Sequence, residues 1–317
     1  MNSDSKRAIF AALGANLGLA AAKFFGFTVT HSASLLAESV HSIADTGNQA
    51  LLLWGGSAAN REATEEHPFG YGRERYFWSF VVALILFSLG SLFAINHGID
   101  KLGHVEPLYR PQVAVVILLT GILLEGFSFY VAVNAAIPLK GTASWWSFIR
   151  RTKSPELAVV LLEDFGALLG LVIALIGVGL SVATGDARYD AGASIVIGLL
   201  LGVIAAILAY EMKSLLIGEG VNPEDGVTIR NALVAGDEVN HVIHMRTQHM
   251  SPDELLIGAK IELIPTLNFE EVSDAIDRAE TRVRSALPSF DVTIYLEPDV
   301  LEANYPEAPA ADHEAQV

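Results

Sequence analysis

The 317-residue chain contains no cysteine, which excludes disulfides, thiolate zinc sites and thiol catalysis and leaves any metal to His, Asp, Glu or neutral oxygen ligands. It is also short of positive charge, with 20 Lys and Arg against 36 Asp and Glu. No basic stripe is present to neutralise phosphates, so nucleic acid is not an expected partner. His-Glu-x-x-His, Gly-x-Ser-x-Gly and phosphate-binding glycine-loop patterns are missing as well, and no motif marks an enzyme.

What is present is apolar. Hydrophobic residues make up 52% of the chain and the mean hydropathy is +0.43, too high for an ordinary soluble domain. They are concentrated before about position 217, whereas from Glu219 onward 20 acidic and 6 basic residues place −14 of the total −16 charge on the remainder. Three regions follow: a transmembrane domain over 1–217, a soluble domain over 218–300, and a Pro-, Ala- and acid-rich tail over 301–317 that is expected to be disordered. The acidic surface attracts cations, although a solvated face has the same composition.

Six segments match the roughly 20 apolar residues needed to cross a bilayer: Ile9–Val29, Ser34–Trp54, Phe77–His97, Val113–Ala135, Leu157–Val182 and Ala191–Leu216. The polar MNSDSKR start runs straight into the first of them without a small-residue cleavage site, so that segment reads as a span and not as a removed signal. With both termini on one side, ten Lys and Arg of the connections fall there and three fall opposite, which predicts cytoplasmic termini by the positive-inside rule. The long link from Pro138 to Pro155 reads as irregular. The soluble domain reads as αββαβ: a helix over Pro223–Val234 capped by Asn222, strands over Val239–His249 and Leu255–Leu263, a helix over Phe269–Leu287 and a strand over Val292–Leu296, with both helices on one face.

Ionisable residues inside spans are costly and need individual accounts. The second span carries Glu38, His41, Ser42, Asp45, Asn48 and Gln49. His41 and Asp45, four residues apart, project from one face with Glu38 and Asn48 beside it, an imidazole and a carboxylate suited to zinc or a similar divalent ion. A mutual hydrogen bond that merely neutralises the two is the competing account. The fifth span adds Glu163 and Asp164; Ala167 and Gly170, one and two turns beyond, favour Asp164 as the ligand. Glu163 remains open as a further ligand, a proton acceptor or a partner of another helix. Asn16, Glu125, Asn134 and Asp190 are hydrogen-bond partners between helices or line a polar entrance, with packing favoured for Asn16 and Asn134.

These residues resemble the cation diffusion facilitator family. The resemblance is carried by Glu-Ser-Val-His41-Ser-Ile-Ala-Asp45-Thr-Gly-Asn48-Gln, by His67-Pro-Phe-Gly-Tyr-Gly-Arg73 in the next loop, and by the αββαβ tail; Leu-Leu-Glu163-Asp164 and Arg188-Tyr-Asp190 look like the branch containing zinc transporter nine. It covers roughly residues 8–300 and implies a ferredoxin-like cytoplasmic domain, a homodimer, and export of Zn²⁺ or a related ion in exchange for protons across a prokaryotic inner membrane. No cofactor is implied, since the ion is cargo.

The same resemblance assigns His41, Asp45 and Asp164 to the transport site. The family's fourth ligand, a His one turn before Asp164, is replaced by Val160, with Glu163 or Asn48 as substitutes. An oxygen-rich site makes Mn²⁺, Fe²⁺ or Co²⁺ rivals to Zn²⁺. Accessory positions are altered too: Tyr71 stands where a His often follows the loop Phe-Gly, and Ile243, Lys260 and Tyr295 stand at frequent metal-binding His positions. His241 and His249 are expected on one strand face and His244 on the other. A non-transporting, membrane-anchored metal sensor or scaffold is the alternative reading.

Overall fold

The computed structural model describes residues 3–299, with side chains from Asn16 onward. The acidic tail at 301–317 and the side chains of Lys6 and Arg7 therefore lie outside the described residues. Two compact units are distinguished, one ending at Leu216 and one beginning at Ile217.

The first unit is helical: α1 (Ser3–Thr30), α2 (Ala33–Ala59), α3 (Glu74–Ile85), a π-helical turn (Leu86–Leu92) that continues into α4 (Phe93–Gly103), α5 (Pro111–Lys140), α6 (Trp145–Arg151), α7 (Pro155–Thr184) and α8 (Arg188–Ile217). All six expected spans fall on long helices, although length and apolar composition alone do not establish six crossings. Among the described residues, four helical stretches are long and apolar enough to cross a membrane: Glu74–Gly103, Pro111–Lys140, Pro155–Thr184 and Arg188–Ile217. The polar set Glu38, His41, Asp45, Asn48 and Gln49 is what dilutes α2.

The 138–155 link is also more ordered than expected. Pro138 sits in the last turn of α5, where its missing N–H costs a single ladder bond, and the helix stops instead at Gly141, with φ of 54°. Ser144 then caps α6 by accepting from the Ser147 amide at 3.1 Å.

Where helices meet, side chains are small. An added Cβ on Gly198 would lie 2.6 Å from Ile95 Cγ1 and 2.8 Å from the Ser91 carbonyl oxygen, and one on Gly98 would lie 2.8 Å from the Ala191 carbonyl oxygen. Glycine is therefore what allows α8 to lie directly on the π-helical turn and α4. The core beneath is Leu86, Leu118, Leu171, Val178, Ile197, Leu201 and their neighbours. Large apolar side chains such as Phe25, Leu123, Phe127, Ile176, Leu199 and Val203 point outward.

Asp190, at the start of α8, is 2% exposed and serves the N-terminus of α2. It accepts from Ser32 Oγ at 2.7 Å, from Ser34 Oγ and from the backbone amides of Ala33 and Ser34. A carboxylate on unpaired helix-start amides is favoured by both hydrogen bonding and the helix dipole. Of the two roles open for Asp190, the structure shows the helix-to-helix one.

The second unit follows the expected order: α9 (Pro223–Val234), β1 (Val239–His249), β2 (Glu254–Leu263), α10 (Phe269–Ala286) and β3 (Asp291–Asp299). Strand order is β1-β2-β3, with β1 antiparallel and β3 parallel to β2. Leu255, Ile257, Ala259, Ile261 and Leu263 alternate along one face of β2 and pack with Ile229 and Leu233 of α9 and with Ala275, Ala279 and Val283 of α10, so both helices cover that face. Asn222 occupies the N-cap of α9 without a side-chain hydrogen bond, whereas Asn268 and Glu271 form a full capping box on α10.

The expected distribution of the tail histidines is corrected. Register shifts between Val239 and His241 and between Val242 and His244 break the alternation of β1. His249 lies opposite Leu255 and is buried on the core side, whereas His241 and His244 lie opposite Glu262 and Lys260, on the other face. Lys260 is itself paired with Glu297 at 3.4 Å and with Asp299.

Arg282 of α10 closes α9 by donating to the carbonyl oxygens of Ala232 (3.0 Å) and Leu233 (3.1 Å) and to Glu238 Oε1 (2.8 Å). The hydrogen bond from Arg282 holds the Glu238 carboxyl below its ordinary value, against a smaller opposing effect of burial. A depressed folded-state pKa gives stability that is present above the unfolded value near 4.5 and is lost as pH falls through the lower folded value. Hydrogen exchange in the full chain should show α9 and β1 loosening relative to pH 7 as pH drops below 4.5, and Glu238→Gln should flatten that dependence. In the helical unit, Gly198→Ala should lower stability by about 1–3 kcal/mol through overpacking, read as a fall in thermal midpoint in detergent. Gly192→Ala, which meets nothing within 4 Å, should not.

Candidate metal-transport site

Helical spacing on α2 sets two overlapping rows: Glu38, Ser42, Asp45 and Gln49 on one, His41, Asp45 and Asn48 on the other. The first row faces a small cavity lined by Asn16 of α1, Ser42, Asp45 and Gln49 of α2, Glu125 of α5, and Val160, Glu163 and Asp164 of α7. The centre of a water-sized sphere can sweep about 10 Å³ of it, room for about one water or one ion. The sequence-predicted Asp45, Glu163 and Asp164 are thus brought to one place, and Val160, the position where the family's ligand is missing, stands on the same wall.

His41 is fully buried and does not line that cavity. Its Nε2 lies 3.4 Å from Asp45 Oδ2, beyond good hydrogen-bond geometry, and neither ring nitrogen has a hydrogen-bond partner among the described residues. Asp45 Oδ1 and Asn48 Oδ1 are likewise buried without a partner there. Asn48 is engaged through its other end, donating Nδ2 to Glu163 Oε1 at 2.7 Å. That bond ties α2 to α7 and gives Glu163 the helix-partner role left open for it. Asp164 accepts from Ser128 Oγ of α5 at 2.9 Å. Among the described residues, no three His, Asp or Glu side chains stand in an arrangement that would hold a metal ion. The structure gathers candidate ligands around a cavity without closing a coordination shell.

Residues outside the predicted set also reach the site. Asn16, for which packing was favoured, lines the cavity, whereas Asn134 bonds the Tyr130 carbonyl of its own helix. Glu125 lines the cavity and lies 3.7 Å from Lys23 Nζ. Lys23 was missed: it is fully buried on α1 and donates to Ser42 Oγ at 2.7 Å and to Glu38 Oε2 at 3.2 Å. The available signal was a single Lys inside the apolar run from Leu17 to Phe27. At the altered loop position, Tyr71 packs edge-on to His67 at 4.6 Å between ring centroids, with the Arg61 guanidinium 3.9 Å over its ring.

Long apolar helices around a carboxylate-lined cavity fit an integral membrane protein with a polar site inside its helical unit. Residues 9–217 match the family described as the cation efflux transmembrane domain, and residues 221–299 match the cation efflux protein cytoplasmic domain. The chain belongs to the cation efflux, or cation diffusion facilitator, family. It is 30% identical over 280 residues to a Xenopus laevis protein named proton-coupled zinc antiporter SLC30A9, mitochondrial, covering 86% of this chain and 50% of that protein. It is 33% identical over 265 residues to metal tolerance protein C4 of Arabidopsis thaliana, covering 82% and 58%. A cation-efflux pump FieF of Klebsiella pneumoniae is 25% identical over 292 residues, covering 92% of each. The chain thus spans about half the length of the first two relatives.

Proposed function

We propose that this protein exports a divalent metal cation, Zn²⁺ in the first instance, from the cytoplasm in exchange for protons, by alternating access across six spans. The observation that carries the reading is the set of buried lone pairs with no hydrogen-bond partner among the described residues, on His41, Asp45 and Asn48, beside the carboxylates of Glu163 and Asp164. Buried polar atoms are rarely left unmatched, and inside a membrane unit such a concentration is what an ion path requires. His41, Asp45 and Asp164 are assigned as the principal ligands, with Glu163 and Asn48 completing or positioning the shell. Movement of α2 against α7 would bring the His41 row and the cavity wall onto one ion. Proton coupling follows from the same groups, because His and carboxylates bind a metal only when deprotonated.

Residues 1–217 form the transport domain in this reading. Residues 218–300 form a cytoplasmic domain that pairs two copies and regulates them, with both termini cytoplasmic and the bilayer a bacterial inner membrane. The names of the SLC30A9 and FieF relatives support zinc, antiport and efflux, and the excess of Lys and Arg on one set of connections supports the orientation. A second cargo reading, Mn²⁺, Fe²⁺ or Co²⁺, is favoured by one observation: every polar side chain on the cavity wall offers oxygen as its metal donor, and His41 stands behind it.

Proteoliposomes holding a pH gradient should take up metal and release protons together, and Asp45→Ala should lower uptake at least about tenfold, the usual scale for losing a ligand or its immediate support. Uptake without proton movement removes the antiport, and full activity of Asp45→Ala removes the site. In a metal panel, Val160→His should shift preference toward Zn²⁺ by supplying a nitrogen donor on the cavity wall. An unchanged order of preference would show that this wall does not select the ion.

A further inference from the structure

Lys23 is the feature that the transport reading does not use. An ammonium buried among apolar helices is expensive, and it persists only when paired. Lys23 Nζ is held by Glu38 Oε2 at 3.2 Å and Ser42 Oγ at 2.7 Å, with Glu125 Oε1 at 3.7 Å. These partners differ in where they lie. Glu38 is fully buried and off the cavity wall, whereas Ser42 and Glu125 are both part of that wall. The ammonium therefore reaches the cavity from behind, across two of its lining side chains. A glycine on α7 allows the arrangement: an added Cβ on Gly170 would collide with Glu38 Oε1.

Glu38 alone balances the charge of Lys23. The approach to Glu125 then has a second consequence, since Glu125 also faces the place assigned to the ion. We propose that Lys23 is a tethered counter-cation that shares Glu125 with the transported divalent ion, so that metal binding draws this carboxylate away from the ammonium and metal release returns it. Lys23 acts through Glu125 and is a positioning residue that sets affinity. By holding one carboxylate in competition, it keeps the cavity from binding its cargo too tightly to let go. This inference rests on the proposed transport site and extends it to a part of α1 that carries no ligand.

The test is metal binding and transport by the purified full chain, with Zn²⁺ and Mn²⁺ in buffered free-ion series. Lys23→Met with Glu38→Gln removes the internal pair while conserving net charge, and frees Glu125. Affinity should rise about tenfold, a typical coupling between charged groups in contact, with KM and kcat for uptake falling together as release slows. In a Glu125→Gln background the same pair of substitutions should change nothing. Unchanged or weaker affinity of the pair variant, in a protein whose wild type binds metal and whose Asp45→Ala variant does not, overturns the inference and leaves the transport site standing. A gain that survives Glu125→Gln overturns it as well. No metal binding by the wild type removes the transport reading and this inference with it. Should the pair variant not fold, Glu125→Gln alone decides: about tenfold weaker binding is expected of a shared ligand, and unchanged affinity overturns the proposal.

Discussion

A carboxylate among apolar helices must find a cation, a proton or a hydrogen-bond donor, and this requirement organises the helical unit. Glu38 has the ammonium of Lys23, Glu163 the amide of Asn48, Asp164 the hydroxyl of Ser128, and Asp190 the first amides of α2. In each case the donor comes from a different helix. The groups that satisfy the buried acids are therefore also the polar links that join α1 to α2, α2 to α7, α5 to α7 and α2 to α8. Asp45 is the exception. His41 on its own helix stands 3.4 Å away, too far for a good hydrogen bond, and one Asp45 oxygen has no partner among the described residues. The place where the requirement goes unmet is the place assigned to the ion.

Sequence periodicity made the elements legible because each is long or strongly patterned. Pro223–Val234 and Val239–His249 are observed as read, and all six expected spans lie on helices. What was not legible depended on contacts between elements. Alternation along β1 gave the wrong face for His241, because the register shift that moves it to the face of His244 arises from pairing with β2. The 138–155 link reads as irregular, yet α5 runs through Pro138, because the cost of that proline depends on its place in the last turn of the helix. For the candidate site, the spacing of His41 and Asp45 was readable, as was the pairing of α2 with α7 through the family resemblance. The cavity wall was not, since it draws single residues from α1 and α5 whose neighbours are apolar. Lys23 escapes a sequence reading for that reason.

The two units handle charge by opposite means. In the helical unit the buried acids other than Asp45 are matched by specific donors, and many large apolar side chains point outward. In the second unit no described acidic side chain is fully buried, and local arrangements such as Arg282 on Glu238 and the end of α9 fix particular contacts. Lys260 is informative there. Its ammonium already sits against Glu297 and Asp299, so a position that the family resemblance associates with metal is filled by a cation that belongs to the chain. Within both units, then, a lysine stands among carboxylates that an ion would otherwise attract.

The contact between Asp190 and the start of α2 has a mechanical meaning. It fastens one end of α2 to α8 through two hydroxyls and two backbone amides, while the far end rests on the Trp78 ring through Gly55, a van der Waals contact without a bond. The fastened end opposes sliding of α2, and the bonds of Glu38 and Ser42 to Lys23 and of Asn48 to Glu163 are what a tilt would have to strain. At about 1.5 Å of rise per residue, Asp45 stands about 18 Å from that pivot and the end of the helix about 39 Å. Any tilt of α2 therefore displaces the ion ligands by less than half of what it moves the far end. A small adjustment at His41 and Asp45 is geared to a larger one at the end of α2 beside Trp78.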